Sequence, residues 1–141
     1  MARSRAVMSI YDRLMWKSID AGKWQLQQCD DCGAHRYPPG PICDKCLSMD
    51  STWQDLSGRG KVLSWVVFHR QYLADYNPPY NAVAVQLAEG PIVVTNLVGP
   101  EPEGGWIGRD VEICYEADAE DQTIPRVKLI LSAEAPARTS P

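Results

Sequence analysis

The sequence has one phenylalanine, two histidines, and no apolar run that approaches the span of a membrane helix, which takes roughly 18 residues or more. A helical membrane span is therefore excluded. Basic residues are not in excess either: 14 Lys and Arg stand against 18 Asp and Glu, a formal net charge of −4. Affinity for a phosphate backbone grows from clustered cations and stacking rings, so the charge and the single phenylalanine argue against a nucleic-acid binder. Catalytic signatures are missing as well. There is no G-x-S-x-G elbow, no Ser, His and acid arrangement, no P-loop and no G-x-G-x-x-G opening a helix. The first residues, MARSRAVMSIYDRL, carry basic side chains but no continuous apolar segment or small-residue cleavage site. A cytoplasmic location is expected on that ground.

What the chain does have falls into segments. With 141 residues, 45% of them hydrophobic and 23% charged, it is sized for one ordinary domain or two very small ones. Over residues 1–28, Met8, Tyr11, Met15 and Ile19 recur at helical spacing, and Gly22 supplies a stop. Residues 29–56 hold four cysteines and three prolines but few large apolar side chains. Something other than hydrophobic burial must order them. In residues 57–132 the pattern changes to period two. GKVLSWVVFHRQ, YNAVAVQLAEG, PIVVTNLVG, RDVEICYEA and IPRVKLILS read as five strands, the second and third joined by a hairpin at Ala88-Glu89-Gly90-Pro91. Five short strands predict a small Greek-key barrel of OB-fold type. Residues 133–141, small and Pro-rich, are expected to fray. Residues 101–121 carry eight acidic side chains and one base, Arg109, and read as a solvated face.

The cysteines carry the clearest chemistry. Cys29-Asp30-Asp31-Cys32 and Cys43-Asp44-Lys45-Cys46 are two C-x-x-C knuckles separated by ten residues. Each knuckle aims two thiolates at one point, and two complete a tetrahedral four-sulfur site that suits Zn²⁺. Gly33 fits the tight turn after the second cysteine. Iron in a rubredoxin-like site is sterically possible. Two disulfides would need an oxidising compartment of which the sequence gives no sign. Four sulfurs leave no open position on the metal, so the role read here is structural. Cys114 remains, and its alternation with Val111, Ile113 and Tyr115 reads as a small buried hydrophobe.

His35 lies between the knuckles, where four cysteines already fill the site, and His69 closes the first barrel strand at the solvent edge. Arg36, Arg59, Lys61 and Arg70 flank the junction of ribbon and barrel. With Trp53, Trp65 and Tyr80 they form a candidate phosphate-and-ring surface for a nucleotide-containing ligand.

The runs LQQCDDCGAHRYPPGPICDKC, WQDLSGRGKVLSWVVFHR, VAVQLAEGPIVVTNLVG and IGRDVEICYE resemble the acyl-CoA-associated zinc-ribbon and OB-fold family, long known only as a domain of unknown function. The likeness covers roughly residues 10–131. Its most telling elements are the proline-rich spacer in the ribbon, Leu56-Ser57-Gly58-Arg59-Gly60, and Glu89-Gly90-Pro91 with Thr95-Asn96-Leu97. Leu47 departs from it, standing where a glycine often follows the fourth cysteine. The resemblance implies a small, non-catalytic partner subunit of a thiolase-like aldolase, thiolase or acyltransferase. Such a subunit helps form a channel for a CoA ester while the partner chain supplies the catalytic residues. The branch that accompanies retro-aldol lyases of steroid side-chain degradation is favoured. In this light Met8, Tyr11, Met15 and Trp16 are candidates for packing on the partner, against the alternative of a helix lying on its own ribbon. The rival functions are a free-standing acyl-CoA-binding module and a single-stranded nucleic-acid-binding protein.

Overall fold

A computed structural model describes residues 7–131; the segment 133–141, expected to fray, lies outside the described residues. The first element is the helix α1 (Ile10–Asp20). Ser9 begins it with a reciprocal cap: Asp12 N donates to Ser9 Oγ at 3.1 Å, and Ser9 N donates to an Asp12 carboxylate oxygen at 2.9 Å. It ends where Gly22, at φ +73°, returns its N–H to the Ile19 carbonyl. Met15 and Ile19 face inward, while Ile10 and Leu14 stay exposed.

Three short strands follow, β1 (Gln25–Cys29), β2 (His35–Arg36) and β3 (Ser51–Asp55), in the antiparallel order β2-β1-β3. Polar side chains knit this ribbon from inside. Gln27 is buried, its Oε1 accepting from Gly40 N and its Nε2 donating to Ser51 Oγ. Arg36, only 3% exposed, donates to the carbonyls of Gly40, Ser48 and Asp50. One arginine thus closes both loops of the ribbon, satisfying carbonyls that a coreless segment would otherwise leave bare.

The remaining strands are β4 (Arg59–Phe68), β5 (Tyr80–Leu87), β6 (Ile92–Thr95), β7 (Asp110–Ala117) and β8 (Thr123–Leu129). Their sheet order, β6-β5-β4-β7-β8, curls until its ends meet. Closure is parallel: Leu97 bridges Val127, Val98 N donates to Val127 O, and Val127 N donates to Asn96 O. Closure explains why the third strand stops at Thr95, short of the stretch its alternation predicts. Beyond that point the ladder with β5 ends: the Asn81 side chain takes both backbone groups of Leu97, while Asn96 and Val98 bond to β8. The hairpin at residues 88–91 stands as predicted, with Gly90 at φ +115° and Leu87 N donating to Pro91 O. Val83, Val85 and Leu87 point inward at period two, joined by Val62, Val93, Val111 and Val127.

The same buried cluster takes in Met15 and Ile19 of α1 and Trp24 and Leu26 from the start of the ribbon. Helix, ribbon and barrel therefore share one core. A further tie is the Tyr115 hydroxyl, which accepts from Trp24 N at 2.8 Å. Cys114 departs from the buried position predicted for it. Strand alternation puts it on the face opposite Val111, Ile113 and Tyr115, where it is half-buried and desolvation raises its pKa. His69 lies exposed one residue past the end of β4. Among the described residues no helix is long and apolar enough to cross a membrane.

Candidate metal centre and ligand-facing surfaces

The two knuckles are near copies of each other. In each, the first cysteine's carbonyl accepts from the residue four positions on: Gly33 N to Cys29 O at 2.9 Å, Leu47 N to Cys43 O at 3.0 Å. Its own N–H donates to the carbonyl five positions on, that of Ala34 or Ser48. Lys45 N also points at the Cys43 sulfur, at 3.4 Å. This winding requires a left-handed residue directly after the second cysteine, and Gly33 (φ +79°) and Leu47 (φ +64°) both supply it. Leucine does so against its sterics, at a cost of about 1–2 kcal/mol, with its side chain 75% exposed. Leu47→Gly should therefore raise the midpoint of thermal unfolding, by the equivalent of about 1 kcal/mol after allowing for glycine's freedom in the unfolded chain. An unchanged or lower midpoint in a calorimetric scan would refute the strain.

The four sulfurs lie within 4.8 Å of one another. Cys29 and Cys46 approach to 3.5 Å, as do Cys32 and Cys43. A metal about 2.3 Å from each of four sulfurs needs tetrahedral edges of about 3.8 Å, so the cluster has the right size. These separations are far beyond a disulfide bond of about 2.05 Å. Proton affinities divide across the cluster. The Cys32 backbone N–H, the largest influence on Cys29, helps hold that thiol down to about 6. At Cys46 the Ser48 backbone N–H acts to lower the pKa, but the Cys29 thiol and burial prevail and push it up to about 12. Four thiols this close cannot all ionise without a countercharge, and a bound dication provides one. The residues present fit a tetrahedral metal. His35 is not among them.

The basic residues disperse. Arg36 is committed to the ribbon carbonyls. Arg59 and Lys61 come together on β4, beside Gln86, Ala88 and Gly90, along a shallow groove of about 330 Å³. Lys61 Nζ there pairs with Asp110 at 2.7 Å. Arg70 stands exposed in the β4–β5 connection, outside that groove. The aromatic candidates separate too. Trp53 lies beside Leu14 and Lys17, Trp65 stacks on Trp106 with centroids 4.6 Å apart, and Tyr80 stacks on Phe68 at 4.9 Å. Of the helix candidates, Met15 is 5% exposed and belongs to the common core. Met8 is exposed, and Tyr11 and Trp16 are half-buried.

One surface had no counterpart in the sequence reading. A cleft of about 400 Å³ opens between α1, the ribbon and the outer face of β5, β6 and β8, with Trp16, Trp24, Tyr37, Tyr76 and Tyr80 among its walls. Thr95, Asn96 and Arg126 form its polar end. These residues come from six stretches of chain, so no spacing announces them. The one local signal is the four-residue spacing of Tyr76 and Tyr80.

Comparison with known proteins follows the same division of the chain. Residues 16–50 match the family model described as "ChsH2, rubredoxin-like zinc ribbon domain", and residues 53–116 match "ChsH2, C-terminal OB-fold domain". A DUF35 domain-containing scaffold protein of Methanocaldococcus jannaschii is 31% identical over 98 residues, covering 67% of this chain and 68% of that protein. A probable enoyl-CoA hydratase alpha subunit of Thermomonospora curvata is 40% identical over 96 residues, covering 67% of this chain but only 30% of its own length. The chain thus spans less than a third of that relative. Among solved structures, an Ltp2-ChsH2(DUF35) aldolase chain superposes with a TM-score of 0.79 at 30% identity, over 89% of this chain and 98% of that one.

Proposed function

The chain belongs to the DUF35 family of zinc-ribbon and OB-fold proteins, and from that membership we propose that it is a non-catalytic accessory subunit of a thiolase-like acyl-CoA enzyme. The observation that carries this reading is the likeness to the DUF35 chain of the aldolase, which extends over 98% of that chain. The favoured partner is a retro-aldol lyase of the steroid side-chain type. The subunit stabilises that enzyme and lines part of its CoA-ester channel, with Arg59 and Lys61 toward the phosphates and Met8 and Tyr11 toward the partner. Its metal is zinc, one per chain. Because four sulfurs occupy all four positions, the ion organises backbone and takes no part in turnover. Carbon–carbon bond cleavage falls to the partner's own side chains. In support, the cysteine cluster is the one grouping of three or more metal-ligating side chains among the described residues.

Co-expression with a thiolase-like enzyme encoded beside it tests the proposal. The two chains should co-elute in size-exclusion chromatography at micromolar concentration, and separate elution would end the accessory-subunit reading. Tight calorimetric binding of a CoA ester to the isolated chain, without complex formation, would instead mark a free-standing acyl-CoA-binding module.

A further inference from the structure

The cysteine cluster is built from two kinds of sulfur. Cys29 and Cys43, the first of each knuckle, are buried, while Cys32 and Cys46, the second of each, are exposed. The two close approaches both cross from one knuckle to the other, and each joins one cysteine of either kind. Cys46 stands 3.5 Å from Cys29, and Cys32 stands 3.5 Å from Cys43. To reach the length of a disulfide, either pair need close by only about 1.5 Å. The pairs are also nested in the sequence, 17 and 11 positions apart, so both can form in one chain. Between the cysteines the knuckles carry Asp30, Asp31, Asp44 and Lys45, all exposed, and Lys45 pairs with Asp44 at 3.4 Å. This acidic rim repels anionic oxidants and leaves a small uncharged one free to reach Cys32 and Cys46. The fifth thiol, Cys114, lies on β7, outside the cluster.

We propose that Cys32 and Cys46 are oxidation sites for hydrogen peroxide, through which the four thiolates become two cross-knuckle disulfides and release their ion. In each pair the exposed thiolate attacks one peroxide oxygen. The O–O bond breaks, an S–O bond forms, and hydroxide departs. The buried thiolate of the other knuckle then attacks that sulfur, forming the S–S bond as the S–O bond breaks and a second hydroxide leaves. Each pair loses two electrons to one peroxide, which is reduced. Disulfide sulfur has no charge with which to hold a dication, so the ion goes free. The ribbon thereby passes from a metal-held to a disulfide-held form, and a dithiol with fresh zinc reverses the exchange.

Treating the zinc-loaded chain with hydrogen peroxide in the presence of a zinc-sensitive dye tests the assignment. About one zinc per chain should be released for about two peroxides consumed. Asp30, Asp31, Arg36, Asp44 and Lys45 let endoproteinase Asp-N and trypsin place each of the four cysteines on its own peptide. Mass mapping under non-reducing conditions should then find Cys29 joined to Cys46 and Cys32 joined to Cys43. The Cys114→Ser chain should release its zinc as the parent does. Dithiothreitol and added zinc should restore the metal content. Glutathione disulfide, bulky and anionic, should release zinc at about a tenth of the peroxide rate or less. The assignment is overturned if zinc stays bound in millimolar peroxide. Bonds within the knuckles, Cys29 to Cys32 and Cys43 to Cys46, would also overturn it, as would sulfinic acids that dithiothreitol cannot reverse. Faster release by glutathione disulfide than by peroxide would count equally against it. No partner chain enters the experiment, so its failure leaves the subunit reading standing. A chain that takes up no zinc at all would sink this proposal and the metal assignment together.

Discussion

Cys29→Ser and Cys46→Ser proteins should each purify with almost no metal, where the parent carries about one ion per chain. Apparent binding energies of structural zinc sites run to about 10–16 kcal/mol and appear as folding energy, because the site does not exist in the unfolded chain. Here the ribbon has little else to spend. Beyond Trp24 and Leu26 its buried side chains are Cys29, Cys43 and the polar pair Gln27 and Arg36, whose hydrogen bonds reach loops that the knuckles hold in place. Both variants should therefore lose the ribbon and lower stability throughout, since Trp24 and Leu26 sit in the core shared with the barrel. Metal analysis and urea denaturation read the two effects. Parental metal content together with a parental transition in both variants would refute the assignment.

The largest effect from a single methyl group is expected at Gly60. It pairs with Leu87 on one side and Val111 on the other, in the middle of the sheet. A Cβ there would stand 2.6 Å from Val85 Cγ1 and 2.8 Å from the Gln86 carbonyl oxygen. The first contact is a fully buried side chain and the second is the backbone of the partner strand, so neither can swing aside. Gly60→Ala should cost about 3 kcal/mol, at the upper end for overpacking, with the denaturant slope unchanged. Gly105→Ala, which meets nothing within 4 Å, is the control and should stay within about 0.5 kcal/mol. Equal transitions for the two variants would show that β4 and β5 tolerate more separation than their register implies.

The sequence made some features legible because they are local. Two C-x-x-C pairs at fixed spacing define a tetrahedral cluster without reference to the rest of the chain. Alternation places Val83, Val85 and Leu87 inward by the geometry of a strand alone. Gly22 and Gly90 mark the turns they make. Features that depend on closure were harder to read. The end of β6 is set by β8, some thirty residues away, and cannot appear in PIVVTNLVG itself. Arg36 reads as a surface cation until the ribbon folds its guanidinium onto three carbonyls. Met15 reads as equivalent to Met8 until the barrel arrives beneath one of them. The aromatic cleft was invisible for the same reason.

Barrel closure also fixes an order of events during synthesis. The hydrogen bonds of Asn96 and Val98 go to Val127, so a ribosome must pass residue 127 before the segment that follows β6 acquires its partner strand. Until then the backbone of residues 96–98 is unpaired, next to a strand whose Ile92 and Val94 side chains are exposed, the kind of template on which chains pair with one another. The ribbon has no such wait, since both knuckles and all three of its strands are complete by Asp55. Metal capture can therefore precede completion of the sheet, so that residues 25–55 are set before the last strands arrive. A transcript broken before β8 would yield a metal-bearing chain with an open, adhesive edge, a form that quality control must remove.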